Sequence, residues 1–326
     1  MPAGGWRIMV EEFGRRIEPY RQELLAHCYR ILGSVHDAED LVQETFLRAW
    51  RARDRYDPAR SSLRTWLYRI ATNACLTAVE TRSRRPLPSG TVAERHPLDP
   101  LVHGGEATWL QPVPDALLHL GDPAGEAVDR GSVRLAFVAA LQHLSARQRA
   151  ALILREVLAF SASESADILG TSVASVNSSL QRARARLDQA GVLEDQVGEP
   201  SQAEQRACVE RYMKAFENAD VEELKRLLAD DVLMEMPPVL NWFVGRDNYG
   251  RFMEWVFAKA GTSWRLVPVA ANGQPGFAAY NLAGSGAFEL HTLQVFTVAA
   301  AGISRNTVFQ DAEVFAAFGL APRIGA

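Results

Sequence analysis

Twelve prolines and glycines lie between residues 86 and 125, and this crowding limits the fold of the chain more than any other feature. Proline lacks the amide proton that a helix interior needs, and glycine costs about 1 kcal/mol there relative to alanine, so no helix runs through this stretch. The 326 residues, 48% of them hydrophobic, must therefore form separate bodies on either side of it, two or three small cores rather than one. Residues 86–131 are expected to be a linker. In its middle, TWLQPVPDALL is apolar and aromatic, which a flexible tether does not need. Trp109, Leu110, Leu117 and Leu118 require cover, either locally beside what flanks the linker or on the last domain of the chain.

Before the linker, DAEDLVQETFLRAWR repeats Ala38, Leu41, Val42, Phe46 and Ala49 on one helical stripe and Asp40, Gln43, Glu44 and Leu47 on another. The first stripe is expected to be core and the second a presented surface. The next helix, SSLRTWLYRIATNACLTAVE, is expected to bury Leu63, Trp66, Leu67, Ile70, Ala71, Ala74 and Cys75 and to turn Arg64, Thr65, Tyr68, Arg69 and Asn73 outward. Arginine, tyrosine and asparagine on one face suit a nucleic-acid backbone and unstacked bases. After the linker, residues 158–186 have the layout of a helix-turn-helix. Ala166 and Ile168 lie on a short helix, Gly170 allows the turn, and Val173, Val176, Leu180, Ala183 and Leu187 face inward on a second helix. Ala174, Ser175, Ser178, Gln181 and Arg182 occupy its free side, small enough at the helix start to enter a major groove. Arg184 and Arg186 follow where phosphates would lie. Any one polar stripe taken singly is commonly a solvated face; two ordered modules together point to a function.

The runs AEDLVQETFLRAW and TWLYRIATNAC resemble the extracytoplasmic-function (group four) sigma factors, small promoter-recognition subunits of bacterial RNA polymerase. The resemblance implies an all-α region two within 10–85 and an all-α helix-turn-helix region four over 132–190. It implies that Asp40, Gln43, Glu44 and Leu47 dock on the clamp helices of the polymerase largest subunit. Arg60, Ser61 and Ser62, in the loop from Tyr56, would join Arg64, Thr65, Tyr68, Arg69 and Asn73 in opening the -10 element and holding a flipped base. Ala174, Ser175, Asn177, Ser178, Gln181, Arg182 and Arg184 would read the -35 element. The chain departs from the family at Asn177 and Ser179, where lysine or arginine commonly stands. Fewer charges release fewer counterions, so affinity for DNA must come largely from the holoenzyme.

From Gln202 the pattern changes. RACVERYMKAFENADVEELKRLLA gives two helices; VLMEM, SWRLVPVAA, FAAYNLA, AFELHTLQVFTVAA and ISRNTVFQ give strands, with a helix from Tyr249 to Ala260 after the first. This is α+β order, and the apolar residues on both faces of FELHTLQVFTV predict a sheet covered on both sides. AFENADVEELKRLLADDVLMEMPP, GRDNYGRF and DAEVFAAFGL resemble the SnoaL-like branch of the nuclear-transport-factor-two (NTF2-like) cone fold, over 203–320. TWLQPVPD looks like the tryptophan-proline linker motif of sigma-factor subgroups that carry such a tail. The resemblance implies a regulatory tail, with Trp109, Leu110, Pro112, Pro114 and Asp115 as a regulatory linker. Proton-transfer chemistry would need a carboxylate or histidine opposite an acid or oxyanion stabiliser. Glu235, Tyr280, His291 and Asp311, walled by Trp242 and Phe243, are the candidate pocket, for turnover or for small-molecule binding alone; satisfied polar residues at a barrel mouth are the plainer alternative.

Cys28, Cys75 and Cys208 form no CxxC pair and no Cys/His cluster, so buried reduced thiols are expected, with no metal and no cofactor. MPAGGWRIMVEEFG lacks the apolar core of a secretory leader, and no stretch is long enough to span a bilayer, so a cytoplasmic location is expected. A net charge of -4 suits a subunit whose partner helps to hold the DNA. The expected function is to direct the polymerase core to specific promoters. The expected partners are core polymerase and promoter DNA, with no membrane, and the tail contacts the sigma modules or the linker in cis.

Overall fold

The computed structural model describes residues 12–81, 84–105, 108–120, 129–189, 200–284 and 286–325. The chain forms two compact units, one of residues 1–85 and 116–192, the other of 86–115 and 193–326. The proline- and glycine-rich stretch is thus shared between them and is not a single tether.

The first unit is helical. Helices α1 (Arg21–Leu32), α2 (Val35–Ala52) and α3 (Leu63–Thr81) come first, and α4 (Leu135–Leu141), α5 (Ala146–Leu152), α6 (Ala162–Leu169) and α7 (Val173–Gln189) follow. Gly33, at φ 69°, ends α1 by donating to the Tyr29 carbonyl, and Ser34 caps α2 by accepting from the Asp37 amide. Such a left-handed stop is open to glycine at little cost. Ser145 with Gln148 and Ser161 with Glu164 form reciprocal capping boxes that start α5 and α6. Two buried arginines tie the halves of this unit together. Arg30 donates to Ser132 Oγ at 2.5 Å and to the Ser132 carbonyl at 3.1 Å. Arg149 donates to the Ile31 carbonyl and, at 2.8 Å, to Gln142 Oε1. Burial pulls the Arg30 guanidinium down to about 10, so it remains charged at neutral pH.

His27, fully buried, sits 2.9 Å from Thr72 Oγ1 and edge-on to Tyr68. Burial, with Arg30 and Arg64 adding, depresses its pKa to about 3. The unfolded chain binds the proton more readily between that value and the ordinary one near 6.5. The contribution of neutral His27 is therefore complete above pH 6.5 and is lost as pH falls toward 3, at up to about 1.4 kcal/mol per pH unit. Between pH 6.5 and 5.0 the wild-type chain should lose roughly 1.5 kcal/mol more stability than His27→Gln, as read by urea unfolding. Equal losses would mean that His27 is not held neutral.

The second unit packs α8 (Gln202–Glu217), α9 (Val221–Arg226) and α10 (Arg246–Ala260) on a seven-stranded sheet. The strands are β1 (Leu228–Glu235), β2 (Trp242–Val244), β3 (Trp264–Ala271), β4 (Gln274–Leu282), β5 (Phe288–Ala299), β6 (Gly302–Phe309) and β7 (Arg323–Ile324). Their order is β2-β1-β6-β5-β4-β3, with β7 on β5. β3 to β6 form an antiparallel meander, whereas β1 runs parallel to β6. The five strands expected from the sequence are all present; β2, β7 and the short helix α11 (Ala312–Ala317) are additional, each too brief to show a period. Residues 292–296 of β5 are buried without alternation, so both faces are covered. On the helical side Tyr212, Phe216, Phe277 and Phe296 stack into an aromatic core.

Residues 86–115 form a strap along this unit. Ser89 Oγ donates to Glu235 Oε2 at 2.7 Å, and Trp242 Nε1 donates to the Val92 carbonyl at 2.9 Å. Farther on, the Leu240 amide donates to the Val102 carbonyl, and the Val113 amide to Asn272 Oδ1. Asp115 Oδ1 accepts from the Gly273 amide at 2.7 Å. Gly104 fits only because it has no side chain: a Cβ there would lie 2.5 Å from the Trp109 ring and 3.1 Å from the Pro238 carbonyl.

Candidate nucleic-acid interface

Helix α2 separates its two stripes. Val35, Ala38, Val42, Thr45 and Ala49 are buried, while Leu41 and Phe46 are only half-buried. Thr45 was not among the expected core residues; it reaches the interior because its hydroxyl donates to the Leu41 carbonyl at 2.6 Å and so carries no unmet polar group inward. On the other side Asp40 and Gln43 are exposed, Leu47 is 52% exposed, and half-buried Glu44 pairs with Arg48 at 2.7 Å. A leucine half in water, among carboxylates and beside an otherwise complete apolar stripe, is a surface suited to a partner.

The eight residues expected at the -10 element divide. Arg60, Ser62, Arg69 and Asn73 are exposed and Ser61 is half-buried. Ser62 also starts α3, its hydroxyl accepting from the Thr65 amide at 3.0 Å. Tyr68 corrects the expectation that it turns outward: it is fully buried. Its ring lies edge-on to His27 and to Phe160, 5.0 Å and 5.1 Å between centroids, and its hydroxyl donates to Glu23 Oε2 at 3.1 Å. Burial first, and the Glu23 carboxylate second, push the Tyr68 phenol up, so it stays neutral. Thr65 is likewise buried. Arg64, half-buried, donates to Glu23 Oε2 at 2.9 Å and lies over the Phe160 ring, 4.6 Å from its centroid. Glu164 of α6 faces the same place; the Ser161 amide and hydroxyl hold its carboxyl below the usual range, with Arg64 and Thr65 adding. Leu63, Trp66 and Ile70, expected in the core, are half-buried, the Trp66 ring lying tilted against Tyr56 with centroids 5.1 Å apart. The face built from Arg64, Thr65 and Tyr68 is therefore covered by the helix-turn-helix half of the same unit.

In that half Gly170, at φ 60°, makes the left-handed turn between α6 and α7. Val176, Leu180, Ala183 and Leu187 are buried, but Val173 is 42% exposed, a correction with a simple cause: as the first residue of α7 it has no preceding turn above it. Ala174, Ser175, Asn177, Gln181, Arg182 and Arg184 are exposed and Ser178 is half-buried, which leaves one open face of small and amide side chains. Arg182 donates to Ser178 Oγ at 2.7 Å. Arg184 pairs with Glu156, and Arg186 donates to the His143 carbonyl at 3.0 Å. Ser179 is buried, so of the two positions noted for lacking a cation only Asn177 lies on the open face.

In the second unit the candidate pocket residues do not converge. Glu235, fully buried, is held by Arg305 at 2.7 Å and by Ser89. Trp242 binds the strap, and Phe243 packs on Phe252. The Tyr280 hydroxyl donates to the Ala321 carbonyl, and Asp311 caps α11. His291 lines a cavity of this unit. Of the linker residues, Trp109 is half-buried and Leu110, Pro112, Pro114 and Asp115 are buried with this unit, whereas Leu117 and Leu118 belong to the helical one. Among the described residues no cluster of three or more His, Cys, Asp or Glu side chains is arranged to hold a metal, and no helix is long and apolar enough to cross a membrane.

Residues 16–85 match the family model of Sigma-70 region 2, 134–187 that of Sigma-70, region 4, and 209–306 that of the SnoaL-like domain. ECF RNA polymerase sigma factor SigG of Mycobacterium tuberculosis is 47% identical over 316 residues, 95% of this chain and 84% of that protein. ECF RNA polymerase sigma factor SigJ of the same species is 30% identical over 251 residues, 75% of this chain and 72% of the relative. The crystal structure of the M. tuberculosis extracytoplasmic function sigma factor SigJ superposes with a TM-score of 0.63 at 24% identity, covering 94% of this chain and 98% of that one. At that identity the superposition shows a shared fold.

Proposed function

Since this chain belongs to the extracytoplasmic-function RNA polymerase sigma factors, as an alternative sigma factor with a C-terminal SnoaL-like domain, we propose that it works in the cytoplasm, its exposed helix faces dividing promoter recognition between them. Asp40, Gln43, Glu44 and Leu47 dock on core polymerase. Arg60, Ser61, Ser62, Arg69 and Asn73 meet the -10 element first, and Arg64, Thr65 and Tyr68 join them once the covering helix-turn-helix has moved away. The open face of α7 reads the -35 element, Arg184 contacting phosphate rather than base. Residues 10–85 and 132–190 act as the two promoter-binding domains. Residues 203–320, through the strap, regulate in cis how readily these two separate.

The observation that carries this reading is the split of α2 into a stripe buried at Val35, Ala38, Val42 and Ala49 and an open one that keeps Leu47 in solvent. Pull-down with core polymerase tests it. Asp40→Lys with Glu44→Lys should weaken core association by about tenfold or more while costing no more than about 1 kcal/mol of stability, because Asp40 is exposed and the Glu44–Arg48 pair lies at the surface. Core binding equal to wild type would remove α2 from the interface.

A further inference from the structure

The second unit contains a cavity of about 240 Å³ bounded by α10, β1, β5 and β6. Its floor is apolar: Phe216, Met234, Phe252 and Met253 line it and are buried. Two polar side chains reach the interior, and both are already committed. Gln294 donates to Thr292 Oγ1 at 3.3 Å and accepts from Asn306 at 2.9 Å. The rim is different. Lys259, His291 and Gln310 line the cavity and are exposed, and among the described lining residues there is no carboxylate. One wall belongs to the strap: Leu101 lines the cavity, 38% exposed. It is held there by Asn241, whose amide donates to the Pro100 carbonyl at 3.2 Å and accepts from the Val102 amide at 2.9 Å.

An apolar floor, committed interior polar groups and a rim that carries Lys259 and, among the described residues, no carboxylate together define a ligand with an apolar body and a single acidic head. A cavity of about 150 Å³ accepts benzene, so a body of about ten non-hydrogen atoms fits here by proportion. We propose that the cavity binds a compact aromatic or branched-alkyl carboxylate, its body on the methionine and aromatic floor and its carboxylate at the Lys259 rim, with Leu101 of the strap as part of the site. Because Leu101 is a wall only while the strap is docked, occupancy favours the docked strap and docking favours occupancy by the same factor. The regulatory consequence of that linkage rests on the strap acting as proposed above; the binding itself does not.

The test uses the full chain with carbon-13-labelled methionine methyls and 2-naphthoate as probe. Titration should shift Met234, Met236 and Met253, three of the six methionines, saturably, with a Kd of about 1 mM or tighter, while Met213 moves little. Lys259→Gln should weaken 2-naphthoate about fourfold and leave 2-naphthalenemethanol within about twofold. Ala260→Trp, at the cavity edge, should remove the shifts, and Asn241→Ala, which frees Leu101, should weaken binding. No saturable shift up to about 10 mM, or shifts that survive Ala260→Trp, would overturn the site. Equal behaviour of acid and alcohol in Lys259→Gln would overturn the carboxylate, and unchanged affinity in Asn241→Ala would overturn the part played by the strap. Each readout is independent of transcription, so a failure of the regulatory reading is seen separately.

Discussion

Arg305→Ala should destabilise the C-terminal unit by about 3 kcal/mol, a fall in its melting temperature of roughly 10 °C. Glu235 is fully buried and Arg305 lies 2.7 Å away. With the guanidinium removed, Ser89 alone among the described residues continues to donate to the carboxylate. An unpaired buried charge costs far more than a pair contributes, whereas replacing both members with neutral groups of similar size is close to neutral. Arg305 retains 25% side-chain exposure, which holds the effect to the lower end of the range for buried pairs. Glu235→Gln combined with Arg305→Met should therefore recover most of the loss. Since Ser89 is a strap residue, the single variant should also speed hydrogen exchange at the Ser89 amide. A melting temperature lowered by less than about 2 °C would show that water reaches the pair.

Phe160→Ala should open the helical unit. Phe160 is 4% exposed, with Tyr68 against its edge and Arg64 across its face. Truncating a buried phenylalanine typically costs about 3 kcal/mol or more. Some of that loss falls within the helix-turn-helix itself. If about half falls on the contact with α3, the population in which Arg64 and Tyr68 are uncovered rises about tenfold. Labels on Asn73 and Gln181, both exposed, should report a broader and longer distance distribution in the free protein, and open-complex formation should become faster at limiting core concentration. An unchanged distribution would mean that Phe160 does not hold the two halves together.

Elements with a repeat were legible from the sequence. The meander strands alternate or run apolar over eight or more residues, and α2 and α7 carry stripes that only a helix aligns. What sequence left open was set by contacts between distant segments. Tyr68 sits beside Arg69 and Asn73 in the sequence pattern, yet His27 and Phe160 close over it, and neither is close to it in sequence. The apolar centre of the strap announced that it needed cover. Its register, however, is fixed by the side-chain amides of Asn241 and Asn272, single residues with no period to betray them. Among the pocket candidates, Glu235 had the chemistry of a catalytic base, but Arg305 and Ser89 occupy its oxygens. The cavity beside His291 is built largely from methionine and aromatic side chains, among them Phe216, Met234, Phe252 and Met253, which in sequence are indistinguishable from core.

Run-off transcription with core polymerase on genomic promoter fragments, comparing the full chain with one ending at residue 200, decides whether this chain directs promoter recognition and whether its C-terminal domain regulates it. Discrete transcripts should appear only when the chain is added, and their yield from those same promoters should change after truncation, with core binding retained. Transcription no different from core alone with either protein would contradict promoter recognition by this chain, and identical yields from the two would leave the C-terminal domain without a regulatory role.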